Sequence, residues 1–189
     1  MDSFYDESEL QELGLAQPGK QLKISRNARF YQPEKISIGA NVRIDDFCIL
    51  SGRIVIGSHV HISAGCYIFG GDEGVEIDDY VCVSSRGVIY AVSDDYSGNG
   101  MAGPLVPAEL RDVIQARVHL NKHALIGTSS VILPGVSVGE GCAVGALSLV
   151  NKSLPAWTIC VGSPARVIGE RSRKIIELEA LHKAKLAGS

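Results

Sequence analysis

The chain has 189 residues, a formal net charge of −3 and 46% hydrophobic residues, which is typical of one compact globular domain. This slightly negative charge provides no overall basic footprint for nucleic acid. No apolar run reaches the roughly 18–20 residues of a membrane-spanning helix, and the acidic start MDSFYDESEL lacks the basic and apolar stretches of a signal peptide, so a cytoplasmic location is expected.

The N-terminal segment, residues 1–35, is predicted to cap the rest of the fold. Its leucines among acidic residues favour a short helix that begins near Ser3 or Asp6 and ends at Gly14, with a frayed terminus as the alternative. Residues 16–35 hold two prolines and are interpreted as irregular chain with one entry strand. Such a cap protects the open end of a repeat structure from pairing with other chains.

From residue 36 onward, an aliphatic residue recurs at every sixth position, with breaks near 72–74 and 93–116. This period fits neither an amphipathic helix nor an alternating strand. It is typical of a hexapeptide solenoid, whose triangular coils stack about 4.8 Å apart. A β-sandwich with accidental spacing is the alternative. The predicted inward-facing positions are Ile38, Ile44, Leu50, Ile56, Ile62, Ile68, Ile77, Val83, Ile89, Leu120, Ile126, Ile132, Val138, Val144 and Val150.

The fold class that follows is all-β: a parallel β-helix of about five coils over residues 36–168. A small corner loop is expected at 72–74. Residues 93–116 are rich in glycine, proline and acidic residues and are predicted to form a long functional loop. The last segment, residues 169–189, is predicted to carry a charged amphipathic α-helix whose apolar stripe packs on the coil or on a neighbouring subunit.

The cysteines are interpreted as thiols of the coil interior. Three of them fall on the small inward-facing position of a hexad, and no CxxC pair occurs, so a disulfide framework or a zinc site is the weaker interpretation. This usage suits a reducing cytoplasm. The five cysteines are Cys48, Cys66, Cys82, Cys142 and Cys160.

The stretch HALIGTSSVILPGVSVGEGCAVGALSLVNKSLPAWTICVGSPARVI resembles the C-terminal half of the hexapeptide-repeat acetyltransferases, which include galactoside and maltose O-acetyltransferases. The segments NVRIDDFCILSG, VSSRGVIYAVSDDYSG and SLVNKSL are more similar to bacterial N-acetyltransferases of nucleotide-linked 4-amino-4,6-dideoxy sugars. The resemblance implies a left-handed β-helix, a homotrimer and acetyl-CoA bound between subunits. It also implies an N-acetyltransferase that serves surface polysaccharide synthesis, with dTDP-4-amino-4,6-dideoxyglucose as an example of the acceptor.

The O-acetyltransferases of this family carry a catalytic histidine where this chain has Ser93, Asp94, Asp95 and Tyr96. A hydroxyl acceptor needs a base because its pKa is high, whereas an amine needs less help, so the missing histidine favours an amine. Asp94 is the first candidate for the contact with the amine, with Asp95 beside it; a pair of solvated loop acids is the alternative.

Two further residues are catalytic candidates. Ser84 is placed to approach the thioester or the acceptor, although a corner serine that bonds its own backbone is an equal interpretation. His123 opens the coil after the loop and is a possible base if it faces the groove.

For the donor, the resemblance implies backbone contacts from Thr128 and Ala146 to the pantetheine arm. It also maps Asn151 and Lys152 onto the donor site. Lys152 and Arg166, with Arg171 beyond them, are expected to meet the nucleotide phosphates, where cationic donors are required. A solvated surface lysine is the alternative interpretation of Lys152.

Two other functions are compatible with the sequence. One is a sugar O-acetyltransferase of the galactoside and maltose type. The other is a non-catalytic β-helix or a relic of a γ-carbonic-anhydrase-like enzyme, for which His59, His61 and His123 provide the number of ligands but the SLVNK donor segment argues against it. No residue spacing requires a catalytic metal.

Overall fold

The computed structural model describes residues 3–187. Two α-helices, α1 (Glu7–Glu12) and α2 (Lys174–Ala187), flank the strands, and short 3₁₀ turns lie at Pro33–Lys35 and Ala108–Leu110. The strands are β1 (Gln17–Pro18), β2 (Lys23–Ile24), β3 (Arg29–Tyr31), β4 (Ile36–Ile38), β5 (Arg43–Ile44), β6 (Ile49–Ile56), β7 (His61–Ile62), β8 (Tyr67–Ile77), β9 (Cys82–Val83), β10 (Val88–Tyr90), β11 (Val92–Ser93), β12 (Ile114–Gln115), β13 (Val118–Leu120), β14 (Leu125–Ile126), β15 (Val131–Ile132), β16 (Ser137–Val138), β17 (Ala143–Val144), β18 (Leu149–Val150), β19 (Thr158–Gly162) and β20 (Ala165–Glu170).

The strands wind into a parallel β-helix with three flat faces, as the hexad period predicts. Face 1 contains β1, β4, the second halves of β6 and β8, β13 and β16. Face 2 contains β2, β5, β7, β9, β14, β17 and β19. Face 3 contains β3, the first halves of β6 and β8, β10, β15 and β18. The chain passes through faces 1, 2 and 3 in that order in every coil.

The predicted aliphatic ladder is the core of the coil. Along face 2, Ile44 pairs with Ile62, Ile62 with Val83, and Val83 with Ile126, so that each coil adds one aliphatic side chain to an interior stack. All four are fully buried. Burying such a side chain contributes about 1.5–3 kcal/mol, so this ladder is the main source of stability. Cys48, Cys66, Cys142 and Cys160 are buried among these residues, Cys82 is half-buried, and all five are free thiols.

The periodic stack begins earlier than expected. Residues 17–31 form a complete coil in front of the five predicted ones, with Pro18 paired to Ile38, Ile24 to Ile44 and Phe30 to Leu50. These residues keep the six-residue step, but Pro18 and Phe30 replace aliphatic residues at two of the three positions. The six-residue spacing therefore extends into residues 17–31, but the residue types at two of the three inward positions do not fit the aliphatic pattern.

The loop expected at 72–74 is instead part of an extended strand. β8 runs without interruption from Tyr67 to Ile77 and pairs with β6, with register shifts on either side of Gly52 that absorb the extra residues. Gly70 lies against the neighbouring coil so closely that a Cβ would be 2.0 Å from the Arg53 carbonyl oxygen. The chain remains extended at this corner because glycine has no Cβ and can therefore lie against the Arg53 backbone.

Both ends of the coil are covered. Asp6 caps α1, in a capping box with Glu9, and the Glu9 carboxylate also accepts a hydrogen bond from Arg26 Nη2 of the first coil at 2.6 Å. This helix lies within the segment predicted to begin near Ser3 or Asp6, and the predicted terminator Gly14 follows it at φ 71°. At the other end, β20 folds back antiparallel on β19. No helix in residues 3–187 is long and apolar enough to cross a membrane.

Candidate active site

The long loop, residues 93–116, extends from the corner between faces 3 and 1. Its root is closed by the antiparallel pair β11–β12, in which Val92 faces Gln115 and Ser93 faces Ile114. Farther out, the Met101 amide donates a hydrogen bond of 2.8 Å to the Leu110 carbonyl. The two limbs of the loop are therefore joined at two levels, and the side chains that they carry have defined positions.

Asp94 follows directly after β11 and is half-buried. Its carboxylate accepts one hydrogen bond from another residue in the described chain, from the Gly103 amide at 3.2 Å. A carboxylate can accept about four hydrogen bonds, so most of the acceptor capacity of Asp94 remains available to a bound molecule.

Asp95 has a different environment from its neighbour. Its carboxylate accepts hydrogen bonds from the amides of Ser97, Asn99 and Gly100 at 2.8, 2.9 and 3.2 Å, and from Ser97 Oγ at 2.9 Å. These donors, led by the Ser97 amide, lower the pKa of Asp95 to about 2. The Asp95 carboxylate is thus ionised and largely occupied by its own loop.

Ser84, Thr128 and Ala146 lie along one edge, the corner between faces 2 and 3. Ser84 follows β9, and its amide donates to the Ile126 carbonyl of the next coil at 2.8 Å. The Thr128 carbonyl accepts a hydrogen bond from the Leu147 amide at 2.9 Å, one coil further on. The structure therefore brings the predicted thioester and pantetheine residues to the same edge.

The predicted phosphate contacts lie near the C-terminal end of the coil. Asn151 and Lys152 follow β18 at the corner between faces 3 and 1, and both are exposed. Arg166 is exposed on β20, with Nη1 3.0 Å from the Ala165 carbonyl. Arg171, which is expected beyond Arg166 at the phosphates, instead donates hydrogen bonds to the carbonyls of His123 and Gly141.

His123 lies at a different corner, between faces 1 and 2, and is buried with 7% of its surface exposed. It adopts φ 62° and stacks on Tyr80 at a ring distance of 5.3 Å. Its Nε2 is 2.7 Å from the Oε2 atom of Glu179 on α2. Asp94 leaves the coil from the corner between faces 3 and 1, so one chain brings Asp94 to a common corner with neither His123 nor Ser84, which lies between faces 2 and 3.

Glu179 anchors α2 to this corner and was not identified from the sequence. Its carboxylate contacts Lys122 Nζ at 2.7 Å and Lys183 Nζ at 2.6 Å in addition to His123. Burial alone would raise the pKa of Glu179, but the hydrogen bonds from Lys122, Lys183 and His123 outweigh it and lower the pKa to about 2. The helix is thus held by a buried carboxylate surrounded by cationic groups, while its Ile176, Leu178, Leu181 and Leu186 are exposed.

One further cluster of metal-ligand types lies on face 1. Glu76, Asp78 and His119 place one ligand atom each within 4.8 Å of one another. His119 Nε2 is 3.0 Å from Asp78 Oδ1, and Glu76 forms an ion pair with Arg117. These contacts account for the cluster as a surface ion-pair network, and the absence of a catalytic metal stays a prediction.

Residues 35–70 match the family model described as bacterial transferase hexapeptide (six repeats). The chain is 44% identical over 189 residues to the dTDP-4-amino-4,6-dideoxy-D-glucose acyltransferase of Escherichia coli, with 98% of each chain covered. It is 30% identical over 158 residues to the putative colanic acid biosynthesis acetyltransferase WcaF of Escherichia coli K12, covering 82% of this chain and 70% of WcaF.

Among solved structures, AntD, an N-acyltransferase from Bacillus cereus in complex with dTDP and 3-hydroxybutyryl-CoA, superimposes with a TM-score of 0.97 at 48% identity, covering 99% of this chain and 100% of AntD. Further AntD structures carry the substitutions S84A, S84C, S84T, D94N and D94A. The S84A and S84C variants were solved with dTDP-4-amino-4,6-dideoxyglucose and coenzyme A. The full-length match confirms the expected left-handed parallel β-helix, and the chain belongs to the hexapeptide-repeat acyltransferases.

Proposed function

We propose that this protein transfers an acyl group from acyl-coenzyme A to the amine of a nucleotide-linked amino-dideoxy sugar, with dTDP-4-amino-4,6-dideoxyglucose as the acceptor. The observation that carries this proposal is the full-length similarity to two acyltransferases, one named for that sugar and one solved with it. This chain also has serine at position 84 and aspartate at position 94, the residue types that were varied in AntD. The cytoplasm, as a source of acyl-CoA, and surface polysaccharide synthesis are the proposed context.

The reaction forms one bond and breaks one. The neutral amine nitrogen attacks the thioester carbonyl carbon, the carbon–sulfur bond of the tetrahedral intermediate breaks, and the proton lost by nitrogen is balanced by protonation of the departing thiolate. Asp94 orients the amine by accepting a hydrogen bond from it, and its available acceptor capacity supports this role. The hydroxyl of Ser84, at the pantetheine edge, is assigned to the developing oxyanion as a hydrogen-bond donor. Neither His123, which is tied to Glu179, nor Asp95 is assigned to the acceptor contact.

The donor is assigned to the edge and end of the coil that the resemblance predicts. Backbone groups of Thr128 and Ala146 are proposed to hold the pantetheine arm of acetyl-CoA or a related acyl-CoA. Coils approach closely there, since a Cβ on Gly127 would lie 2.5 Å from the Ala146 amide nitrogen. Asn151, Lys152 and Arg166 are proposed to bind the phosphates.

The most direct test compares acceptors and donors. Purified protein should consume acetyl-CoA or 3-hydroxybutyryl-CoA with dTDP-4-amino-4,6-dideoxyglucose and yield an amide that mass spectrometry identifies. The matched acceptor with a hydroxyl in place of the amine should be inactive. Acylation of the hydroxyl sugar, or of galactosides and maltose in preference to the amine, would replace this proposal with the O-acetyltransferase function.

Lys152→Ala should raise the KM for acyl-CoA about tenfold with a smaller effect on kcat. An exposed charge-assisted contact to phosphate contributes about 1–2 kcal/mol, and such a contact is made before the chemical step. Steady-state kinetics measures this, with the exposed lysine variant Lys20→Ala, at the other end of the coil, as control. An unchanged KM for the donor would remove Lys152 from the phosphate site.

The site is proposed to be completed in a homotrimer. Face 3 presents an outward apolar surface that includes the stacked pair Phe69 and Tyr90, with ring centroids 5.1 Å apart, beside the exposed Tyr67. On the loop, Tyr96 and Leu105 are 93% and 98% exposed. Exposed aromatic and aliphatic side chains grouped in this way support an interaction surface here, and a second copy of the chain is the occupant that the family resemblance implies.

Sedimentation equilibrium should give a particle of about three times the chain mass of 20.1 kDa. A stable monomer at assay concentrations, with full activity, would contradict the intersubunit site.

A further inference from the structure

Two adjacent aspartates of the loop have opposite hydrogen-bonding environments, and the difference indicates how the acceptor contact is held in place. The Asp95 carboxylate accepts three main-chain hydrogen bonds, from Ser97, Asn99 and Gly100, and one from the Ser97 hydroxyl. A carboxylate that accepts these four hydrogen bonds stabilises a turn, and it has no acceptor site left for a bound molecule.

The turn that Asp95 closes is packed against the returning limb of the loop. A Cβ on Gly100 would lie 2.2 Å from the Asp112 amide nitrogen, so Gly100 and Asp112 are in close contact. The next residue, Met101, donates its amide hydrogen to the Leu110 carbonyl at 2.8 Å. Releasing Gly100 from Asp95 would therefore loosen the contact between the two limbs.

The same stretch of chain carries the donor to Asp94. Two residues beyond Met101, the amide of Gly103 donates to the Asp94 carboxylate at 3.2 Å, and Gly103 has φ 98°, a conformation that glycine adopts without strain. A continuous series of contacts thus runs from the Asp95 carboxylate through Gly100 and Met101 to Gly103, and from Gly103 back to Asp94.

We propose that Asp95 is a positioning residue for the acceptor, which folds the turn at 97–103 against the returning limb so that Gly103 holds the Asp94 carboxylate ready for the amine. This inference rests on the proposed function, in which Asp94 contacts the acceptor. An amine that meets an already oriented carboxylate has less ordering entropy to lose on binding. Asp95 itself does not touch the substrate in this account.

Asp95→Ala should raise the KM and the dissociation constant for dTDP-4-amino-4,6-dideoxyglucose about tenfold, while the KM for acyl-CoA and the melting temperature stay close to wild type. Asp95→Asn should have an intermediate effect, because its amide oxygen can still accept from Ser97 whereas its NH2 group faces the amides of Asn99 and Gly100. Asp72→Ala, which removes an exposed aspartate elsewhere on the coil, is the matched control and should match wild type.

A double-mutant cycle gives the decisive measurement, since a residue that acts through Asp94 has nothing to position once Asp94 is gone. In an Asp94→Ala background, Asp95→Ala should cause no further loss in acceptor binding by calorimetry. Fully additive losses, or an Asp95→Ala variant with unchanged acceptor affinity, would overturn the positioning role. A fall in melting temperature with equal losses for donor and acceptor would show a purely structural role and overturn it as well. Failure of the wild type to acylate the sugar would instead refute the proposed function.

Discussion

Asp94→Asn is expected to lower kcat/KM for the amino sugar by roughly ten- to a hundredfold, and Asp94→Ala by more, mostly through the KM for the acceptor. An amine acceptor needs less help from a base than a hydroxyl does. Orientation of the amine should therefore dominate over proton removal. Asparagine keeps one oxygen that can accept from the amine or from Gly103, whereas alanine keeps none.

Initial rates over a range of acceptor concentrations, at saturating acyl-CoA, separate these effects. His123→Ala serves as the comparison and should be mild, because Nε2 of His123 is occupied by Glu179 at a different corner of the coil. The opposite pattern would have His123→Ala nearly inactive and both Asp94 variants active. It would show that the acceptor is contacted by His123 and not by Asp94, and it would restore the hydroxyl-acceptor alternative.

Stability should fall in acid as Glu179 is protonated. Its pKa is lowered to about 2 in the folded chain, against an ordinary value near 4.3 for glutamate. A carboxylate with a depressed folded-state pKa stabilises the fold above its unfolded pKa, and this contribution is lost as the pH falls from about 5 towards 2. The loss should reach roughly 1–3 kcal/mol, the range for buried charge-assisted contacts.

Glu179→Gln should remove most of this pH dependence and lower the free energy of unfolding near neutral pH by a similar amount. Urea titrations at several pH values measure both. Glu177→Gln provides the control, because Glu177 lies on the same helix and is exposed. Equal acid sensitivity in wild type and Glu179→Gln would show that the cluster with Lys122, Lys183 and His123 does not stabilise the helix.

The sequence predicts the coil well because each inward position obeys a simple local rule. Ile62, for instance, pairs with Ile44 and Val83 and is fully buried, as its place in the hexad requires. The first coil is not predicted, because Pro18 and Phe30 replace aliphatic residues at two of its inward positions. Their six-residue spacing is the signal that could have identified it.

The site is less accessible from sequence, since its contacts join distant parts of the chain that no period relates. The pairing of His123 with Glu179 spans 56 residues, and only the packing of α2 on the corner creates it. The unequal environments of Asp94 and Asp95 depend on the fold of the loop, although the glycines at 98, 100 and 103 marked it as a region of unusual backbone conformations.

The stacking of the coil continues without a gap across the long loop. β10, before the excursion, is directly paired with β15, after it, with Ile89 opposite Ile132. The loop leaves and re-enters the coil through a narrow root, where β11 pairs with β12 through Val92 and Gln115. Changes in its length or composition therefore carry little penalty for the stacking of the coil. The loop that carries the proposed acceptor contact can therefore vary in length and sequence while the stack that carries the proposed donor site stays intact.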